Sequence, residues 1–134
     1  MDKLEYIPGD LVKFATNNYT IVNFEENFLH NKICYALIST NSTKTAFVAD
    51  RDILPIPLTP EILEKNRWRT QNRWYYYLDV AEGFISYIGI DFKHKSNKGH
   101  LYVEVNGNNM VEIQYCHELQ HFLFGLGINY EMEV

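Results

Sequence analysis

Apolar and polar positions alternate over short stretches in the first 58 residues. Leu11–Phe14, residues 19–24, residues 33–39 and Thr45–Ala49 are rich in β-branched and aromatic residues, which suit a pleated surface. Turn formers separate them at Pro8-Gly9-Asp10, Asn17-Asn18, residues 27–31 and Asn41-Ser42. Short strands at this spacing predict a small closed sheet, read as an SH3-like barrel. Asp50-Arg51-Asp52-Ile53-Leu54 is read as the tight turn that leads into a closing strand.

The pattern breaks at Ile56-Pro57-Leu58-Thr59-Pro60. Thr59 suits a helix N-cap, and Pro60 suits the first helical position, where a missing N–H loses no hydrogen bond. A short helix is expected over residues 61–66. Alternation then returns. Residues 74–80 and 84–92 read as a hairpin joined at Ala81-Glu82-Gly83, residues 101–105 as a third strand, and Asn106-Gly107-Asn108 as a turn. Asn109 and Glu112 have the spacing of a capping box. From there Val111, Tyr115, Leu119, Phe122, Leu123 and Leu126 recur with a helical period, and Gly125 and Gly127 stop it. Residues 128–134 read as a last short strand. The expected fold class is α+β. An N-terminal small SH3-like β-barrel (1–58) leads through a short helix and linker (59–73) to a three- to four-stranded antiparallel sheet packed on one C-terminal helix (74–134).

Composition narrows the class. A chain of 134 residues can bury a core without disulfides or metal. Aromatic residues make up 15%, too many for a disordered chain. No apolar run reaches the length of a membrane helix, and Met1-Asp2-Lys3-Leu4-Glu5 lacks the apolar core of an export signal. The expected location is the cytoplasm. There Cys34 and Cys116, each in an apolar stretch, are expected as separate buried thiols. The net charge of −5 argues against nucleic-acid binding by overall charge but leaves room for a local basic patch. There is no Walker loop, no G-x-G-x-x-G and no nucleophile elbow.

Two signals carry chemistry. The first is His117-Glu118-Leu119-Gln120-His121, an H-E-x-x-H pattern on an expected helix. His117 and His121 would share one helical face and could hold zinc, with Glu118 as general base for a metal-bound water. A catalytic zinc needs a third protein ligand. The extended pattern would place Gly at 124 and His at 127, where Phe124 and Gly127 stand. His94 and His100 fall in a loop, and Glu131 and Glu133 in the tail. The expectation is no cofactor, with zinc as the alternative.

The second signal is a basic-aromatic run from Arg67 to Tyr77. Trp74 should lie opposite Asp91 and Phe92 across the hairpin. That would bring Arg67, Trp68, Arg69, Arg73 and Trp74 towards Lys93, Lys95 and Lys98. Arginine forks onto phosphate or carboxylate and stacks on rings, so the patch suits an anionic partner.

The opening Pro8-Gly9-Asp10-Leu11-Val12-Lys13-Phe14, the joint at residues 56–66 and the ending Tyr115-Cys116-His117-Glu118-Leu119-Gln120-His121 through Gly127-Ile128 resemble a family of small proteins from phages and mobile elements of Bacteroides-type bacteria. That family has no established activity, so the resemblance transfers no site residues. It implies a phage or prophage setting and a host-directed role. The family tends to carry Gly after the Asn of the joint, where this chain has Arg67. Together these signals suggest a non-enzymatic accessory protein. It would bind a host macromolecule, a protein or nucleoprotein complex that includes defence systems, through Arg67, Trp68, Arg69, Arg73, Trp74, Lys93, Lys95 and Lys98. The alternatives are a zinc-dependent hydrolase built on the helix of His117 and His121, and a homo-oligomer joined through its aromatic strand face. No membrane partner is expected.

Overall fold

A computed structural model describes residues 6–15, 17–27, 32–39, 45–49 and 52–134. The expected turns at residues 27–31 and 41–42, and the start of the bend at 50–52, lie outside the described residues. The described residues are mostly β and form two five-stranded antiparallel sheets and two helices. The α+β class and the C-terminal helix agree with the sequence pattern.

The first sheet contains β1 (Leu11–Phe14), β2 (Asn17–Asn27), β3 (Lys32–Ser39), β4 (Thr45–Ala49) and β5 (Leu54–Pro55) in the order β4-β3-β2-β1-β5. β2 carries a bulge between Ile21 and Asn23. The sheet curls around Tyr6, Val12, Ile21, Tyr35, Leu37, Val48 and Ile53 as a half-barrel.

A short helix, α1 (Pro60–Lys65), follows. Thr59 caps it, its hydroxyl accepting from the Ile62 N–H at 3.3 Å. The second sheet contains β6 (Arg69–Thr70), β7 (Tyr75–Glu82), β8 (Ile85–Asp91), β9 (Leu101–Val105) and β10 (Asn108–Ile113) in the order β10-β9-β8-β7-β6. Side chains of a strand alternate between faces. Tyr76, Leu78, Ile88, Ile90, Leu101 and Val103 point inward, against Leu63 of α1 and Cys116, Leu119 and Leu123 of α2 (Cys116–Gly125). Leu11, Ile56 and Leu58 join this same cluster, so the second core reaches into the first sheet.

Three expectations are corrected. Residues 109–113 form strand β10 and not the start of a helix. Asn106 (φ 52°) and Gly107 (φ 85°) make a two-residue hairpin turn with both residues in the left-handed region, and β10 pairs back onto β9. The second sheet therefore has five strands, β6 adding the other edge. Residues 128–134 form no strand. They run along α1 instead, with Asn66 donating to the Glu133 carbonyl at 2.7 Å and accepting from the Glu133 N–H at 2.8 Å.

Both helices end in the same way. After α2, the Ile128 N–H donates to the Leu123 carbonyl and the Gly127 N–H to the Phe124 carbonyl, with Gly127 at φ 74°. After α1, the Trp68 N–H donates to the Leu63 carbonyl and the Arg67 N–H to the Glu64 carbonyl, with Arg67 at φ 66°. This is the Schellman termination, and its left-handed residue is usually glycine. A side chain there costs about 1 kcal/mol. Replacing Arg67 with Gly should stabilise the fold by about 1 kcal/mol, read as a higher urea midpoint with an unchanged slope.

Candidate functional site

The H-E-x-x-H helix is tied to the Pro8-Gly9-Asp10 turn that precedes β1. Gln120, fully buried, sits at the centre. Its amide donates to the Gly9 carbonyl at 2.8 Å and to the Tyr130 carbonyl at 3.0 Å, and its oxygen accepts from the Leu11 N–H at 2.9 Å. At the next residue, the Nε2 of His121 lies 2.6 Å from Oδ2 of Asp10. Asp10 is fully buried, and the same oxygen accepts from the Ile7 N–H at 2.9 Å. These contacts hold the helix to the first sheet.

Glu118 turns away from this seam. Its carboxylate accepts from the backbone N–H groups of Gln114 and Tyr115, each at 2.9 Å. It thereby reaches back over the helix start at N-cap Tyr115, as the glutamate of a capping box does. The box read at Asn109 and Glu112 is therefore displaced, and Glu118 serves the helix end. A general base for a metal-bound water would need this carboxylate free.

His117 is buried between aromatic rings. Tyr6 meets it edge-on at 4.9 Å, and Tyr115 stacks on it at 5.9 Å. The ring of His121 lies 5.6 Å away. Nδ1 of His117 and Oδ1 of Asp10 are buried without a hydrogen-bond partner among the described residues. No group of three or more His, Cys, Asp or Glu among the described residues is arranged to hold a metal ion. His117 and His121 are neighbours, and the carboxylate beside them, Asp10, is engaged by the His121 ring and the Ile7 N–H. Burial pushes the Cys116 thiol up to about 12, so it stays protonated and packs as an apolar side chain. Cys34 lies in β3.

The basic-aromatic run is divided between four places. Trp68 is only 6% exposed and packs in the second core, which removes it from any partner surface. The helix termination explains why, since Trp68 follows the left-handed residue and closes over Leu63. Arg67 lies beside the tail, sharing a groove with Asn129 and Glu131. Arg69 sits opposite Tyr77 in the sheet, its guanidinium 3.1 Å from Asp79.

Trp74 and the loop after β8 do come together. The Phe92 N–H donates to the Trp74 carbonyl at 2.8 Å, so the loop begins beside Trp74, as the hairpin register requires. The Lys93 ammonium lies 5.3 Å from the centre of the Trp74 ring. His94 meets the same ring edge-on at 5.7 Å. Asp91 fixes the loop: its carboxylate accepts from the Lys93 and His94 N–H groups at 2.8 and 2.9 Å and holds the His94 ring at 2.9 Å. Lys95 and Lys98 follow on the same loop and are exposed. Arg73 is exposed and left-handed, at φ 65°.

No family model, curated protein or solved structure matches this chain. Among the described residues, no helix is long and apolar enough to cross a membrane.

Gln120 escaped the sequence reading because its partners lie at least 109 residues earlier or beyond the helix. Replacing Gln120 with Leu strands two carbonyls and an N–H in the seam, and should cost about 2 to 4 kcal/mol in a urea titration. The two histidines should shape stability against pH in opposite directions. The hydrogen bond to Asp10 raises His121 above its ordinary 6.5. Its contribution is therefore full below that value and is lost as pH rises through the raised one. Burial lowers His117. Stability is therefore lost as pH falls below the ordinary value towards the lowered one. Replacing His121 with Asn should abolish the loss on the alkaline side and keep the loss on the acid side. Melting temperatures from about pH 5 to about pH 9 would show this.

Proposed function

We propose that this is a non-enzymatic binding protein that engages an anionic macromolecule through Arg73, Trp74, Lys93, Lys95 and Lys98. The observation that carries the reading is the Lys93 ammonium over the Trp74 ring on a loop fixed by Asp91. A cation and a ring held together before binding lose little freedom when a phosphate or carboxylate docks. Arg67 and Arg69 are left out because the first lies beside the tail and the second pairs with Asp79, and Trp68 because it is buried.

The partner class stays that of the family resemblance, a host protein or nucleoprotein complex reached from a phage or mobile-element setting in the bacterial cytoplasm. Likeness of the first sheet to an SH3-like barrel belongs to the same proposal, supported by its short, curled antiparallel strands. The hydrolase alternative loses support because Glu118 caps the helix.

Fluorescence anisotropy with a labelled single-stranded oligonucleotide and with labelled polyglutamate tests the reading. One of the two probes should bind, with affinity that falls steeply as salt rises. The double variant Arg73→Glu with Lys93→Glu should weaken that binding about tenfold or more without lowering the melting temperature. Binding unchanged in the double variant would end the proposal.

A further inference from the structure

The outer face of the second sheet carries Tyr75, Tyr77 and Asp79 from β7, Tyr87 and Asp91 from β8, and Tyr102 and Glu104 from β9. None of them belongs to either core cluster. A groove of about 310 Å³ lies on this face, lined by Gln71, Asn72, Tyr75, Tyr77, Asp79 and Tyr87. Gly89 lets the Tyr75 ring lie flat on the sheet, because a Cβ at Gly89 would collide with the Tyr75 hydroxyl. The Tyr87 phenol lies close enough to raise the pKa of that hydroxyl. The Tyr75 ring is thus seated against the backbone of Gly89.

The charge of the face is acidic. Burial and the nearby Asp91 push the Glu104 carboxyl up. Burial and Glu104 push the Tyr75 hydroxyl up. Negative charge here is crowded, and a cation would relieve it.

The chain already places one cation at the rim. The Arg69 guanidinium lies 5.7 Å from the Tyr77 ring centre and 3.1 Å from Asp79. Both side chains of that ion pair are more than half exposed, at 68% and 57%. An exposed pair of this kind contributes little and exchanges readily.

We propose that this groove receives an arginine side chain from a basic segment of a protein partner, which stacks on the tyrosines, pairs with Asp79 and displaces Arg69. Rings with a carboxylate beside them suit a planar guanidinium, which stacks and forks at once. Gln71 can offer its amide to the backbone of such a segment, as can the amide nitrogen of Asn72, whose oxygen accepts from the Trp74 and Tyr75 N–H groups. The surface adjoins the anion-binding end of the sheet and shares Asp91 with it, but the proposal does not depend on that reading.

Titrating the full-length chain with a hexa-arginine peptide in a calorimeter tests the idea. The wild type should bind it. Asp79→Asn and Tyr77→Ala should each weaken binding about threefold. Arg69→Ala should tighten it about threefold, because the internal competitor is gone. Asp79 is exposed, so its variant keeps the fold even if the Tyr77 variant does not. No binding by the wild type would overturn the proposal. So would equal binding by the wild type, Asp79→Asn and Arg69→Ala, which would mean general charge attraction. Sedimentation of the free chain gives the other negative: self-association that Asp79→Asn abolishes would make a second copy the occupant.

Discussion

One buried amide governs how the two sheets meet. Gln120 spends both its donors and its oxygen on backbone groups of the Pro8-Gly9-Asp10 turn, of β1 and of the tail. A polar group in a dry seam is tolerable only when its hydrogen bonds are made, and a seam built this way has one good register. The His121–Asp10 contact adds a charge to the same place. Around this polar centre the apolar contacts run continuously, because Leu11, Ile56 and Leu58 pack with α1, α2 and the second sheet. Residues 56–58 also pair with residues 114–116: the Cys116 N–H donates to the Ile56 carbonyl at 2.8 Å and the Leu58 N–H to the Gln114 carbonyl at 3.1 Å. The motif that reads most loudly as catalysis in the sequence is a set of fastenings in the fold.

That use of α2 leaves the second sheet with unequal faces. The inner face is spent on the core. The outer face holds tyrosines and carboxylates, and its end carries Trp74 with Lys93. Charges of opposite sign therefore sit on adjoining parts of one rigid support. Our two binding proposals rest on this division.

Much of the fold was legible where side-chain period and turn chemistry agreed. The strands of the first sheet, the Thr59 cap and the hairpin of β7 and β8 follow from alternation and from residues that act locally. The misreading of β10 has a physical cause. Asn108–Ile113 is an edge strand, exposed on both faces until Ile113, so it lacks the alternation that marks a half-buried strand. Val111 and Tyr115 then fell by coincidence into the helical period of α2. The Asn106-Gly107 pair held the correct signal, since two left-handed residues in sequence favour a tight hairpin. Trp68 was also readable in principle. It stands just past a helix end, where an apolar residue folds back onto the last turn. The seam was not readable, because nothing local in Gln120, His121 or Asp10 names a partner so far along the chain.

The distance along the chain that the seam spans has a consequence for how the molecule is made. Asp10 and His121 are separated by 111 residues. At ordinary translation speeds about ten seconds pass between the appearance of one and of the other. During that interval the first sheet has no helix to lie against, and the carboxylate of Asp10 is left to water. Its strands gather early from neighbouring segments, while its place against the rest waits for α2. A nascent chain would thus leave the helix-facing edge of the first sheet uncovered until α2 has been made.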